Sequence, residues 1–407
     1  MGNHVFLDVN YMAYKQKKTN RRTFLKAAGA TGLGAFWAPQ QGKCNSDIIN
    51  TAEHNCETRH PNVKLTSDKS DANSQLSQWA QELKPVLAVP QDLQLIEAWL
   101  PKASQALRQI FHLSDDVDTN PQITSHRITQ FDSLVVHHIG IKPADRQGWN
   151  AVILEPEKGD HKRPAWLCLH GCLAGGMSSV IGLIVNQAGG KESLELCEGD
   201  YALKLAKRGF ITMSFDFAGF ASRGGNVDVS KPPMPTDEMC FSAIMLDKSY
   251  LGWCVADCVV ALSVLKDWPS VYADKVGVVG FSMGSTIASM LAVVDRRVKA
   301  AAVSGHFPSW RERVSKGLPP GGIGCVPGLL CKLDVCDILA AVAPVPFFIS
   351  QEVRGDIKNA RSLLAGVERA YRAMNAEKNL MLYFDDTSHH RFIGEPLYRW
   401  SKQLWPV

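Results

Sequence analysis

Several things are scarce in this 407-residue chain, and each shortage excludes a class of protein. Net charge is only +4, and much of the excess lies in the first 26 residues. No basic footprint for nucleic acid is therefore present. The 11 cysteines contain no C-x-x-C spacing, so neither a zinc site nor a redox dithiol is expected, and no metal is assigned. The apolar run from Ala27 to Ala38 falls short of the about 20 residues that span a bilayer. No internal repeat and no long low-complexity tract interrupts the chain. What remains is 45% hydrophobic and 21% charged, the make-up of a globular protein able to bury a sizeable core.

The first 40 residues stand apart from the fold. Lys15, Lys17, Lys18, Arg21, Arg22 and Lys26 make a basic leader. The stretch Thr19–Lys26, with its paired arginines followed by Phe24-Leu25-Lys26, resembles a twin-arginine export signal. No small-x-small cleavage site is evident, so an uncleaved anchor stays open as the only expected membrane contact. Such a signal implies the twin-arginine export machinery as a partner, folding before export, and a periplasmic or extracellular destination. Residues 41–75 are polar and read as a linker. In an oxidising compartment Cys325, Cys331 and Cys336 would be the favoured site of a structural disulfide, with Cys44 and Cys56 a further pair.

Residues 76–120 carry helical periodicity (Leu76, Trp79, Leu83; Leu93, Ile96, Trp99, Leu100; Leu107, Ile110, Phe111), with a break expected at Pro101. From 121 to 407 the pattern changes. Strands are expected at 123–130, 134–141, 149–154, 165–169, 210–215, 276–280, 298–304, 346–350 and 380–384. Helices alternate with the later ones, at 200–208, 250–266, 283–294, 359–374 and 397–404. Such alternation predicts an α/β fold with a mostly parallel central sheet, helices on both faces and an N-terminal helical extension.

The most informative stretch is Val276–Met290. A β-rich run ends at Gly280, Ser282 follows, then Gly284 and a helix-forming segment. This is G-x-S-x-G between strand and helix, the setting of a nucleophile elbow. Ser282 would stand at a strand's carboxyl end, with the Met283 N–H at a helix start, free to donate to an oxyanion. A serine hydroxyl needs a base and a carboxylate to orient it. Downstream of the last strand stand His389 and His390, and His390, with Phe392 two residues on, is favoured. After the strand at 346–350 the loop offers Asp356, favoured because it follows Gly355, with Glu352 as the alternative. His306 comes before any candidate acid and is too early to be the base. Leu169-His170-Gly171-Cys172 would give the second oxyanion donor, the Cys172 N–H, with its thiol an unreactive neighbour.

With these pieces in order the chain resembles the α/β-hydrolases, in the branch of dienelactone-hydrolase-like and acetylxylan-esterase-like proteins that shades into prolyl-oligopeptidase-type hydrolases. The carriers are residues 169–171, 201–210, 216–220, Asp257, 280–285, 295–302 and 338–346. The chain departs from the pattern in having His389 where glycine usually precedes the histidine, and a serine where dienelactone hydrolases have cysteine. The resemblance implies a Ser282–Asp356–His390 triad and a serine hydrolase that cleaves carboxylic esters without a cofactor. The substrate would be a small-molecule or carbohydrate ester, selected by the insertions at 177–199 and 221–249. The rival readings are a prolyl-oligopeptidase-type peptidase and a non-catalytic binding protein on the same fold. The helical stretch before the first strands is too short for a propeller, which counts against the peptidase.

Overall fold

The computed structural model describes residues 72–407 apart from 114–119, 158–160, 173–174, 183–198, 225–234, 307–308, 319–320, 354–356 and 387–389. The signal-like segment, most of the polar linker, and the Cys44 and Cys56 pair lie outside the described residues. The first described helix, Ala72–Glu82, begins inside the stretch read as linker.

Nine strands form one sheet: β1 (Gln122–Phe131), β2 (Leu134–Lys142), β3 (Trp149–Pro156), β4 (Arg163–Leu169), β5 (Ile211–Phe215), β6 (Val271–Phe281), β7 (Ala300–Ser304), β8 (Phe347–Glu352) and β9 (Leu380–Asp385). Their order is β1-β2-β3-β5-β4-β6-β7-β8-β9. The first three strands and the β3–β5 pair run antiparallel; from β5 onward all neighbours are parallel. The described helices are α1 (Ala72–Glu82), α2 (Ile96–Ile110), α3 (Met177–Val180), α4 (Tyr201–Ala206), α5 (Pro235–Met245), α6 (Tyr250–Lys266), α7 (Met283–Val294), α8 (Trp310–Ser315), α9 (Leu329–Lys332), α10 (Val335–Ala340), α11 (Ile357–Ala373) and α12 (Gly394–Leu404). Together these make the α/β-hydrolase fold expected from the sequence.

The strands show why the sheet is covered on both sides. Side chains alternate between its faces. Ala165, Leu167 and Leu169 of β4 join a core with α2, α6 and α7. Trp166 and Cys168, between them, join a second core with α4 and α12, through Tyr201, Leu205, Leu397, Trp400 and Trp405. From Pro164 onward β4 is apolar at every position, so it has no face left for solvent.

Pro101 does not break the extension. It sits inside α2, which runs unbroken from Ile96 to Ile110. A proline inside a helix costs about 3 kcal/mol through its missing N–H and ring clash. Here Ile96, Trp99, Leu100, Ala103, Ala106 and Leu107 bury one continuous face. Each large side chain so buried contributes about 1.5–3 kcal/mol, enough to override the local penalty. Ser104 Oγ donates to Val293 O at 2.8 Å and so fastens α2 to the end of α7.

The cysteines also depart from expectation. Among the described residues Cys325, Cys331 and Cys336 form no disulfide with one another. The neighbour of Cys325 is instead Cys240 of α5, whose Sγ donates to Cys325 O at 3.0 Å. The neighbouring Cys240 thiol lowers the pKa of Cys325. Burial pushes the Cys336 thiol up.

Candidate active site

Ser282 follows β6 directly and caps α7 with φ 54° and ψ −116°. Non-glycine residues rarely adopt that backbone, and holding one there costs about 1–3 kcal/mol. The surroundings enforce it. Ser282 N donates to Ser304 O of β7 at 2.9 Å, and Ser282 O accepts from Ser285 N at 3.0 Å and Ser285 Oγ at 2.5 Å. The flanking glycines permit the approach. A Cβ on Gly280 would lie 2.0 Å from Gly284 O, and one on Gly284 would lie 2.1 Å from Leu169 O. Met283 N opens α7 and has no carbonyl one turn behind it within the helix.

His390 stands over the same strand ends. Its ring stacks on Phe281, the residue before Ser282, with centroids 4.8 Å apart and planes 28° apart. Beneath it lies Gly305, where a Cβ would come within 2.7 Å of His390 Cε1. Its Nδ1 is 2.7 Å from Glu352 Oε1. A carboxylate only accepts, so Nδ1 carries the proton and Nε2 presents a lone pair. That is the tautomer a general base requires. The loop is pinned by Ile393 N, which donates to Ser304 Oγ at 3.0 Å, and by Phe392, fully buried and stacked on Tyr201 at 4.2 Å.

Of the residues expected at the site, Ser282, Met283, Cys172 and His390 gather at the carboxyl ends of β4, β6 and β9. Asp356 and His389 lie outside the described residues. The carboxylate on the imidazole is Glu352, the last residue of β8. Nothing in the local sequence separates it from Asp356. The difference is one of register: Glu352 pairs with Asp385 at the end of β9, just before the loop that carries His390.

The loop after β4 rests against the elbow. A Cβ on Gly171 would lie 3.2 Å from Ser282 Cβ, so the next residue, Cys172, is beside the serine. Burial pushes the Cys172 thiol up to about 12, with Asp237 adding to the effect, so the side chain stays a neutral thiol. His170 is buried and structural. Its Nδ1–H donates to Gly171 O at 2.7 Å, and its Nε2 accepts from Phe217 N at 3.0 Å. Burial lowers its pKa, which keeps the ring neutral as those two bonds require.

Asp216 holds the two loops together. Its Oδ1 accepts from Met177 N at 2.6 Å, and its Oδ2 from Ser222 Oγ at 2.6 Å and Ser222 N at 3.2 Å. Behind it, Arg223 donates to Asp216 O at 3.1 Å and to Asp257 Oδ2 at 2.7 Å. Asp257, fully buried in α6, also accepts from Arg146 Nε at 3.0 Å. Neither arginine stood out in the sequence, because each is brought to Asp257 from a distant loop. Asp216→Asn removes one accepting oxygen and should let the Cys172 loop drift. A drop in kcat of about tenfold is expected, within the cost of losing an oxyanion donor. Initial rates with p-nitrophenyl acetate check it; an unchanged kcat would free the loop from Asp216.

Among the described residues no group of three or more His, Cys, Asp or Glu side chains is placed to hold a metal ion. Over 253 residues the chain is 24% identical to YtaP of Bacillus subtilis (strain 168), provisionally named a hydrolase; the match covers 59% of this chain and 77% of that one. The fold is similar to that of a protein from Bacteroides fragilis NCTC 9343 provisionally described as an acetyl xylan esterase. The TM-score is 0.69 at 17% identity, covering 82% of this chain and 95% of that one. It is also similar to a glucuronoyl esterase from Solibacter usitatus, with a TM-score of 0.53 at 13% identity, covering 79% and 97%. At these identities the two solved structures speak to the fold alone. The Abhydrolase family matches residues 63–406, from before the first strand to the last helix, and the chain belongs to that family.

Proposed function

We propose that the chain is an exported serine esterase acting on carboxylic esters, with acylated carbohydrates as the substrate class. The observation that carries the reading is the Glu352–His390 pair, seated by Phe281 and Gly305 beside a strained Ser282. Ser282 Oγ attacks the acyl carbon while His390 Nε2 takes its proton. Glu352 holds the Nδ1 proton and stabilises the imidazolium charge. The Met283 and Cys172 N–H groups bind the oxyanion. Collapse of the tetrahedral intermediate expels the alcohol, which receives the proton from His390. Water, activated by the same base, then releases the acid and frees Ser282. Glu352 takes the role that Asp356 has in the family-based reading.

The described part of the chain has no room for a propeller, so esters are preferred over peptides. The esterase names of the solved relatives favour sugar esters, and the twin-arginine-like leader favours an exported enzyme. Treatment with a fluorophosphonate, followed by peptide mapping, is expected to place one covalent adduct on Ser282. p-Nitrophenyl acetate should be hydrolysed far faster than aminoacyl anilides. Absence of an adduct would sink the enzymatic reading, and faster anilide cleavage would favour the peptidase.

A further inference from the structure

The cysteines that the candidate active site leaves unused differ in setting. Cys168, Cys254 and Cys258 are buried, and burial raises the pKa of each, so none supplies a thiolate. Cys325 is half-buried, and the neighbouring Cys240 thiol lowers its pKa. Cys240 is buried on α5. Its Sγ lies 3.0 Å from Cys325 O and within hydrogen-bonding reach of the Cys325 thiol. Cys325 Sγ is itself held by Gly321 O at 3.5 Å. Packing fixes these contacts, because α5 lies against the short turn Gly322–Gly324 that leads into Cys325. A half-exposed, acidified thiol beside a buried second thiol is the arrangement in which the first reacts and the second resolves.

The leader bears on this pair. A chain that folds before export meets an oxidising compartment with its thiols already placed. Only cysteines adjacent in the finished fold can then join. We propose that Cys240 and Cys325 form a disulfide after export, fastening α5 to the turn at Gly322–Cys325; the proposal rests on the export reading above for its oxidant, a disulfide donor.

Joining proceeds by thiol–disulfide exchange. The Cys325 thiolate attacks one sulfur of the donor as the donor's S–S bond breaks, and the expelled thiolate takes up a proton. Cys240 gives up its proton and attacks Cys325 Sγ, expelling the second donor thiolate. The protein pair loses two electrons and two protons, and one donor disulfide becomes two thiols. The bond closes a loop spanning 85 positions. It also steadies a neighbour of the candidate active site. Asp237 of α5, about one turn before Cys240, adds to the raised pKa of the Cys172 thiol.

The test uses the full chain, prepared reduced and then treated with oxidised glutathione. Remaining thiols are alkylated and the peptides mapped without reduction. One peptide pair joined through Cys240 and Cys325 is expected. The linked protein should melt about 3–6 °C above the reduced one, the scale for closing a loop of this length in a domain of this size. Dithiothreitol should reverse the gain. Cys325→Ser should show no oxidant-dependent shift. Both cysteines remaining open to alkylation, a link through other cysteines, or a linked protein that melts no higher would each overturn the proposal. If Cys325→Ser does not fold, the wild-type map and its melts with and without dithiothreitol decide. Neither readout needs a substrate, so a protein inert towards esters defeats the esterase reading alone. Cell fractionation tests export separately from the glutathione result.

Discussion

Ser282→Gly is expected to be more heat-stable than the wild type while losing about 10⁴-fold or more of its ester hydrolysis. The loss of rate follows from removal of the proposed nucleophile. The gain in stability follows from the backbone. At φ 54° and ψ −116° a side chain costs about 1–3 kcal/mol that glycine does not incur. Glycine's greater freedom in the unfolded chain takes back about 0.5–1 kcal/mol. The balance favours the folded variant by about 1 kcal/mol, which for a domain of about 340 residues, at about 2.1 cal/mol/K per residue, is about 1–2 °C. Ser282→Ala is the control. It removes the same hydroxyl but keeps the Cβ, so it should lose the rate and melt near the wild type. Thermal melts and initial rates of the three proteins check this directly. Should the glycine variant melt below the alanine variant, the elbow stores no strain worth relieving.

The strain persists because it is over-determined. β6 and β7 hold Ser282 from one side through its N–H, and α7 holds it from the other through its carbonyl. Gly280 and Gly284 let the helix start press against β4, where a side chain on either would collide with backbone. The same close packing brings Gly171 against Ser282. The loop after β4 and Ser282 are therefore positioned by one set of contacts. Asp216, Arg223 and Asp257 extend that set into the core of α6.

Much of this was legible in the amino-acid order. All nine strands overlap the ranges expected; for β4 to β8 the signal is the apolar run that a buried parallel strand leaves. The helices Tyr250–Lys266 and Met283–Val294 begin and end as read. Local sequence failed where tertiary contacts decided. Pro101 was expected to end a helix, and the buried face of α2 carries the helix through it. The neighbour of Cys325 is Cys240, 85 positions earlier on α5. The partners of Asp257 are likewise invisible to any local pattern. Position after a strand left Asp356 and Glu352 both open; the register of β8 against β9 brings Glu352 to His390.

That choice of carboxylate has the sharpest consequence for catalysis. Glu352→Gln is expected to lower kcat by about 10³–10⁴-fold, with little change in KM. The amide is nearly the same size, so the pocket that seats it is kept. What changes is the proton count. An amide N–H facing Nδ1 donates to it, and the ring's own proton must then sit on Nε2, against the serine hydroxyl. A base whose lone pair points away cannot accept the proton, and an isosteric amide in a serine triad costs about 10⁴-fold by this route. The imidazolium that forms during attack also loses its counter-charge, which Glu352, 2.7 Å from Nδ1, would otherwise supply. Asp356→Asn, by contrast, should leave kcat within about threefold, since on this reading Glu352 alone holds the Nδ1 proton. Steady-state kinetics on p-nitrophenyl acetate separate the two, with fluorophosphonate labelling rates as a second readout of Ser282 activation. The reverse pattern, a dead Asp356→Asn and an active Glu352→Gln, would return the acid to the loop beyond the strand. It would reduce the Glu352–His390 contact to an ion pair of the resting enzyme.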